Sequence, residues 1–224
     1  MMPRQLLRRL CGAAVAGFLL TMSMVVATPA AAHTWSTYYT GAGGRWPSAT
    51  TVRFYVRNGF PSSAPWMPTI NRGADQWNAA RISLEPRFVN AGATATVGNA
   101  DRPCSATYNG VYWRDLDYLG STVLGYTPHC ENVAGVVTRF SMSIDADASW
   151  YVGTGATPNG RSDAWSVLTH EFGHATGWVG HFAESDSACP NDATRSTMCP
   201  SIYPGTDRQR TLGTHDRHTL QAAY

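Results

Sequence analysis

Apolar and polar residues alternate from Thr51 to Val56, and the run is rich in β-branched and aromatic side chains, which predicts a strand. Asn58-Gly59-Phe60-Pro61 then breaks it. The period changes next. Ile70, Ala74, Trp77 and Ala80 recur at helical spacing across Trp66 to Ala80, predicting an amphipathic helix whose tryptophan belongs to the core. Ile82 to Val89 reads as a second strand and Ala95 to Val97 as the start of a third. From Asp101 to Tyr118 the periodicity is weak, and a strand with a long loop is expected. Ser121 to Tyr126 predicts another strand, ended by Thr127-Pro128, and Val136 to Ile144 alternates as a further one. Gly153 to Gly160 is a loop. Ser162 as a cap and Asp163 in the positive first turn open a helix over Trp165 to Gly177. A loop-like stretch through Pro204 precedes a last helix from about Thr214, with Leu220 and Tyr224 on one face. Trp46, Trp113 and Trp150 are most simply core residues.

Residues 1–32 change the compartment. Arg4, Arg8 and Arg9 precede an apolar run from Cys11 to Ala27, and Ala30-Ala31-Ala32 offers a small-residue cleavage site, so an export signal is expected. The expected mature chain, 33–224, suits one domain with an adequate core. The chain carries 17 basic and 15 acidic residues, but three of the arginines lie in the leader, so the mature charge is near −1 with histidines neutral. No basic face is implied and nucleic acid is excluded as a partner. No later segment is apolar enough for a membrane span once the signal is removed. A secreted, extracellular monomer is expected. Cys104, Cys130, Cys189 and Cys199 remain after the leader, and an even number in an exported chain reads as two disulfides with three possible pairings. Pairing sequence neighbours, Cys104–Cys130 and Cys189–Cys199, closes short loops and is preferred. A tetrahedral cysteine zinc site would need close CxxC pairs, which are missing.

The chemistry concentrates in His170-Glu171-Phe172-Gly173-His174-Ala175-Thr176-Gly177-Trp178-Val179-Gly180-His181. On a helix, His170 and His174 lie on one face and can grip the same metal ion. Glu171 follows the first of them directly and can serve a metal-activated water as general base. Gly177 is the natural helix stop, since glycine tolerates the left-handed conformation found there. His181 can then return from below as a third ligand. Three protein ligands with one open position define a catalytic zinc, not a structural one. A chance HExxH on a polar helix face is the bland reading, and the added glycine, third histidine and export signal weigh against it.

The segment from His170 to His181 resembles the metzincin zinc peptidases, and the residues after it are similar to their matrixin branch. Ser196-Thr197-Met198-Cys199-Pro200 resembles the Met-turn, with Met198 beneath the metal. Leu212-Gly213-Thr214-His215-Asp216 with Leu220-Gln221 and Tyr224 is similar to the family's last helix. Leu124-Gly125-Tyr126-Thr127-Pro128 resembles the edge strand that pairs with substrate, and Ile144-Asp145 with Trp150 the next strand. The resemblance implies an α+β fold: a twisted mixed five-stranded sheet with an antiparallel edge strand, two long helices, and a small C-terminal subdomain ending in a helix. It further implies one catalytic Zn2+ and a protein or peptide substrate held along Leu124, Gly125 and Tyr126. Pro200, Ser201, Ile202 and Tyr203 would wall the pocket beside the metal. Three departures stand out. The family's third histidine falls where Gly180 stands, one residue before His181. Glu184 or Asp186 would be the ligand if His181 were not. A zinc-blocking propeptide has no room between leader and domain. Structural calcium or a second zinc stays unassigned, because the middle segment offers only His129 and scattered aspartates.

These readings lead to a secreted zinc endopeptidase with Glu171 as general base. Two alternatives remain: a secreted module that keeps the zinc scaffold without turnover, and a zinc amidase acting on cell-wall peptide. His215 and His218 are expected on the surface or in helix packing, not as ligands.

Overall fold

Along the chain the elements run β1 (Thr51–Arg57), α1 (Trp66–Ala80), β2 (Arg87–Thr94), β3 (Asn109–Arg114), β4 (Gly125–Tyr126), β5 (His129–Glu131), β6 (Val137–Asp145), β7 (Trp150–Tyr151), β8 (Ser162–Asp163), α2 (Ala164–Ala175) and α3 (Thr214–Ala223). The computed structural model describes residues 44–57, 59–61, 64–94, 102–185, 187–192 and 194–224, all within one unit. The fold is mixed α+β. Six strands form one sheet in the order β2-β1-β3-β6-β4, with β5 also on β6. The first four are parallel, whereas β4 and β5 run antiparallel along the outer side of β6.

Alternation explains β1: Val52, Phe54 and Val56 are buried and their neighbours are not. Strand β6 is buried along most of its length, from Phe140 to Asp145, as befits a strand paired on both sides. Ile70, Ala74 and Trp77 form the inner face of α1. They pack with Leu168 and Phe172 of α2 against the sheet, where the Phe172 ring lies 5.2 Å from Phe54 and 5.3 Å from Phe88. Helix α2 is buried nearly all round, and polar tethers fix it from outside. The Trp77 indole donates to Thr169 O at 2.7 Å and the Trp46 indole to Ala175 O at 2.8 Å. Trp46 and Trp150 are core residues as expected, and Trp113 packs against the same core.

Several expectations shift. The second strand starts at Arg87, not Ile82, because Glu85 folds back to accept the backbone N–H groups of Ile82 and Ser83 at 3.0 and 2.9 Å. Ile82 is left 73% exposed, so its apolar character marks no core position. The strand expected over Ser121 to Tyr126 shrinks to Gly125–Tyr126, then resumes past Pro128 as β5. Proline has no N–H to give to the ladder, so the edge is split. The sheet therefore counts six strands where five were expected. The cap of α2 is Asp163, not Ser162: the Asp163 carboxylate accepts from Ser166 N at 2.8 Å, while Ser162 pairs with Trp150 in the β7–β8 ladder. Arg210 adds a buried ion pair to Asp163 at 2.6 Å, tying the start of α2 to the C-terminal region. The expected strand at Ala95 to Val97 and the leader 1–32 lie outside the described residues.

Both disulfides join sequence neighbours, Cys104–Cys130 and Cys189–Cys199, as the short loops suggested. They point to folding in an oxidising, extracellular environment. Among the described residues no helix is long and apolar enough to cross a membrane.

Candidate metal centre

His170 and His174 sit one turn apart on the buried face of α2. Gly177 ends that helix at φ +88°, a left-handed conformation that side chains resist, and its N–H satisfies the His174 carbonyl at 2.8 Å. The chain then reverses through Val179, buried in the core, and brings His181 back to the helix. The three Nε2 atoms converge: His170 to His181 is 2.9 Å, His174 to His181 is 3.0 Å, and His170 to His174 is 3.2 Å. The Gly177–Gly180 stretch that leads to His181 is non-helical. Glu184, the fallback ligand, is instead paired with Arg195 at 2.6 Å, and Asp186 lies outside the described residues.

Backbone carbonyls set the tautomers of two of these rings. His170 Nδ1 donates to Thr197 O at 2.8 Å and His174 Nδ1 to Val179 O at 3.1 Å. With their protons on Nδ1, these neutral rings aim Nε2 lone pairs at one point. Lone pairs facing each other repel unless a cation lies between them. Tetrahedral donors about 2.0–2.1 Å from a zinc ion are roughly 3.3 Å apart, close to the spacing seen. The three histidines can thus hold a metal ion. Burial depresses all three imidazoles: His170 falls to about 3 through burial and the nearby His181, His174 falls well below the usual range, and His181 falls as well. Rings that stay neutral are ready to ligate.

Glu171 follows His170 on α2, and its carboxylate meets the edge strand. Its Oε2 accepts from the Thr127 hydroxyl at 2.6 Å. Its Oε1 lies over the Cα of Gly125, where a Cβ would come within 2.5 Å. A side chain at position 125 would therefore displace the carboxylate. Burial pushes the Glu171 carboxyl up to about 8, against the pull of Thr127. A cation held by the three imidazoles would oppose that rise.

Met198 is fully buried under α2, its sulfur against the spot where Gly173 lacks a side chain. Asp216 of α3 holds that segment, accepting N–H groups from Thr197 at 2.8 Å, Met198 at 3.1 Å and Gly213 at 2.8 Å. Thr197 in turn offers its carbonyl to His170, so Asp216 reaches the metal point through one residue. Burial raises the Asp216 carboxyl to about 6 despite these donors. The Met198 carbonyl accepts from Phe182 N at 3.0 Å, linking the Met198 segment to the residue after His181.

Of the expected substrate residues, Gly125 and Tyr126 form β4 on the outer side of β6, and Leu124 packs against the core. Pro200 and Tyr203 are exposed, and Ser201 and Ile202 are half-buried. Arg195 fastens this stretch: it pairs with Glu184, donates to Ser201 O at 3.2 Å and lies 5.3 Å above the Tyr203 ring. Sequence reasoning missed Thr127, Arg195 and Asp216 as supports. Alternation did carry a signal for Thr127, two residues from Gly125 and hence on its face. Nothing local marks Arg195 or Asp216. His215 lies against Phe182 on α3, His218 is exposed, and neither joins the metal group.

No protein-family model matches this chain, and no curated protein compared with it does.

Proposed function

We propose that this chain is a secreted zinc endopeptidase of matrixin-like type, hydrolysing peptide bonds in proteins outside the cell. The observation that carries it is the convergence of three neutral imidazoles within 3.2 Å, with the buried Glu171 carboxylate on the same helix and held by Thr127 of the edge strand. Three imidazoles with room for water suit zinc best among the likely extracellular metals. Zinc bound here would lower the pKa of its water towards neutrality and polarise the scissile carbonyl. Glu171 would serve as the general base, accepting the proton of the attacking water and returning it to the departing amine. The Thr127 hydroxyl fixes Oε2, leaving Oε1 to move the proton, and Gly125 keeps space for it. An extended substrate adds along Leu124, Gly125 and Tyr126 by backbone hydrogen bonds, which need no side chain at position 125. Pro200, Ser201, Ile202 and Tyr203 then form the wall of the pocket that selects side chains, held by Arg195. Met198 is packing beneath the metal, without ligating it.

Purified, zinc-loaded protein is expected to cleave unfolded casein, to stop when chelated, and to recover with zinc. Glu171→Ala should lower the rate by about 10²–10⁴-fold while zinc stays bound. Cleavage that survives Glu171→Ala, or that ignores chelation, would overturn the proposal.

A further inference from the structure

A second proton-bearing group lies on the edge strand beside the metal point, unused by the mechanism above. His129 of β5 stands directly opposite Phe140 on β6, and Phe140 faces α2, its ring 6.4 Å from Phe172. Opposed residues of an antiparallel pair share a face. By the same rule Gly125, opposite the buried Ile144, faces α2. Gly125, Thr127 and His129 therefore form one row, and the first two already touch Glu171. Two residues of strand advance about 6.7 Å, so His129 lies one repeat of the strand beyond the residue whose hydroxyl holds Glu171. It is also near enough to His174 to be among the groups that keep that imidazole low, after burial and the neighbouring rings.

The His129 ring is not loose. Its Nε2 meets Glu131 Oε1 at 2.7 Å, and the register shift between Cys130 and Glu131 turns Glu131 to the same side, opposite the buried Val137. Glu131 Oε1 also accepts from Gly44 N at 3.1 Å, and its carboxylate lies against Gly44, where a Cβ would meet Oε1 at 2.5 Å. A carboxylate fixed by backbone thus orients an imidazole, the arrangement that sets which ring nitrogen is offered outward. Nδ1 has no hydrogen-bond partner among the described residues, and the side chain keeps 19% of its exposure.

We propose that His129, oriented by Glu131, is a further substrate-binding residue of the cleft, whose Nδ1 hydrogen-bonds an amide group of the extended peptide lying along the edge strand. This rests on the peptidase reading. The Pro128 carbonyl accepts from Ser141 N of β6 at 3.0 Å, so the backbone groups of Thr127 and His129 on either side turn outward, where an extended peptide would pass the ring. His129 acts on binding, whereas Glu171 acts on the bond.

The test measures binding without turnover. In the zinc-loaded Glu171→Ala background, a fluorescently labelled unfolded casein peptide is titrated against the parent, His129→Phe and Glu131→Gln. Phenylalanine keeps the ring's packing and removes the hydrogen bond. We expect Kd to rise about five- to tenfold for His129→Phe and about threefold for Glu131→Gln. Zinc affinity, read by chelator competition, and the melting temperature should stay at the parent values. An unchanged Kd would overturn the inference, as would a zinc affinity that falls in step with it, since the pair would then merely brace His174. If wild type cleaves casein while both variants bind like the parent, only the inference fails. If the parent neither binds the peptide nor cleaves casein as wild type, the peptidase reading falls and takes the inference with it.

Discussion

Two of the three imidazoles are placed by a helix and the third by a loop, and the two regions hold their ligands by different means. His170 and His174 lie on α2, where four-residue spacing alone puts them on one face and the Trp46 and Trp77 indoles clamp the helix. His181 follows Gly177 in a stretch without regular structure. Its position depends on contacts distant in sequence: Phe182 to Met198, Ser196 to Ala188, the Cys189–Cys199 bridge, and Asp216 of α3 behind them. Local periodicity makes one half of the site cheap to specify. The other half needs a whole subdomain.

The largest effect should come from removing the loop's ligand. His181→Ala is expected to weaken zinc binding by more than a hundredfold, beyond the roughly 10–100-fold that loss of an outer partner costs. Competition with a chromogenic chelator measures this directly. The helix should survive the change, so far-UV circular dichroism of the variant should match wild type. Zinc affinity that stays at the wild-type level would remove His181 from the ligand set and break the comparison.

The Cys189–Cys199 bridge comes next. Closing a loop of that length contributes about 2–3 kcal/mol by restricting the unfolded chain. Replacing both cysteines by serine should lower stability by that order, read from denaturant midpoints, and should weaken zinc binding as the Met198 segment loosens. The Cys104–Cys130 pair, which closes no part of the segment after Gly177, serves as the control. Its double serine variant should lose comparable stability with zinc affinity nearly intact. Equal losses of affinity in both would mean that the loop has no special hold on the metal.

Asp216→Asn is the subtler probe. The carboxylate receives three backbone N–H groups, and an amide would turn its own N–H₂ towards one or more of them. A cost of about 1–3 kcal/mol follows from leaving such donors unpaired. Part returns because a buried charge is removed. The expected signature is a modest drop in melting temperature with a several-fold weaker zinc affinity, transmitted through Thr197 to His170.

The same contrast explains what the sequence disclosed. HExxH spacing, the Gly177 stop, the β-rich run of β6 and the amphipathic α1 are local patterns, and each element reappears close to where it was expected, although β6 is buried on both faces instead of alternating. The pairing of the cysteines was legible from loop length. What escaped was decided by partners remote in sequence. Glu85 turned Ile82 and Ser83 out of a strand, and Pro128 split the edge. Asp163 won the cap because Arg210, 47 residues on, neutralises it there. Thr127 could have been found from alternation. Asp216 could not, because nothing near it reveals that residues 197 and 198 will present their N–H groups to it.

The buried histidines and the buried Asp216 carboxyl should also differ in sign as pH changes in metal-free protein. The α2 histidines have folded-state pKa values below the ordinary 6.5, with His170 near 3, because burial disfavours the charged ring. The unfolded chain therefore binds more protons in acid, and their contribution is present above about pH 6.5 and lost as pH falls further. Asp216 behaves oppositely. Its carboxyl is raised to about 6 from 3.8, so its contribution is complete below about pH 4 and is lost as pH rises through 6. Each net proton changes stability by about 1.4 kcal/mol per pH unit at most. Between pH 7 and pH 5 the wild type should thus lose less stability than the histidines alone would dictate. Asp216→Asn, which cannot take up that proton, should fall more steeply on acidification in urea midpoints measured at each pH. Parallel curves for the two proteins would show that Asp216 is not titrating in the folded state, and would leave its backbone hydrogen bonds as its whole hold on the Met198 segment.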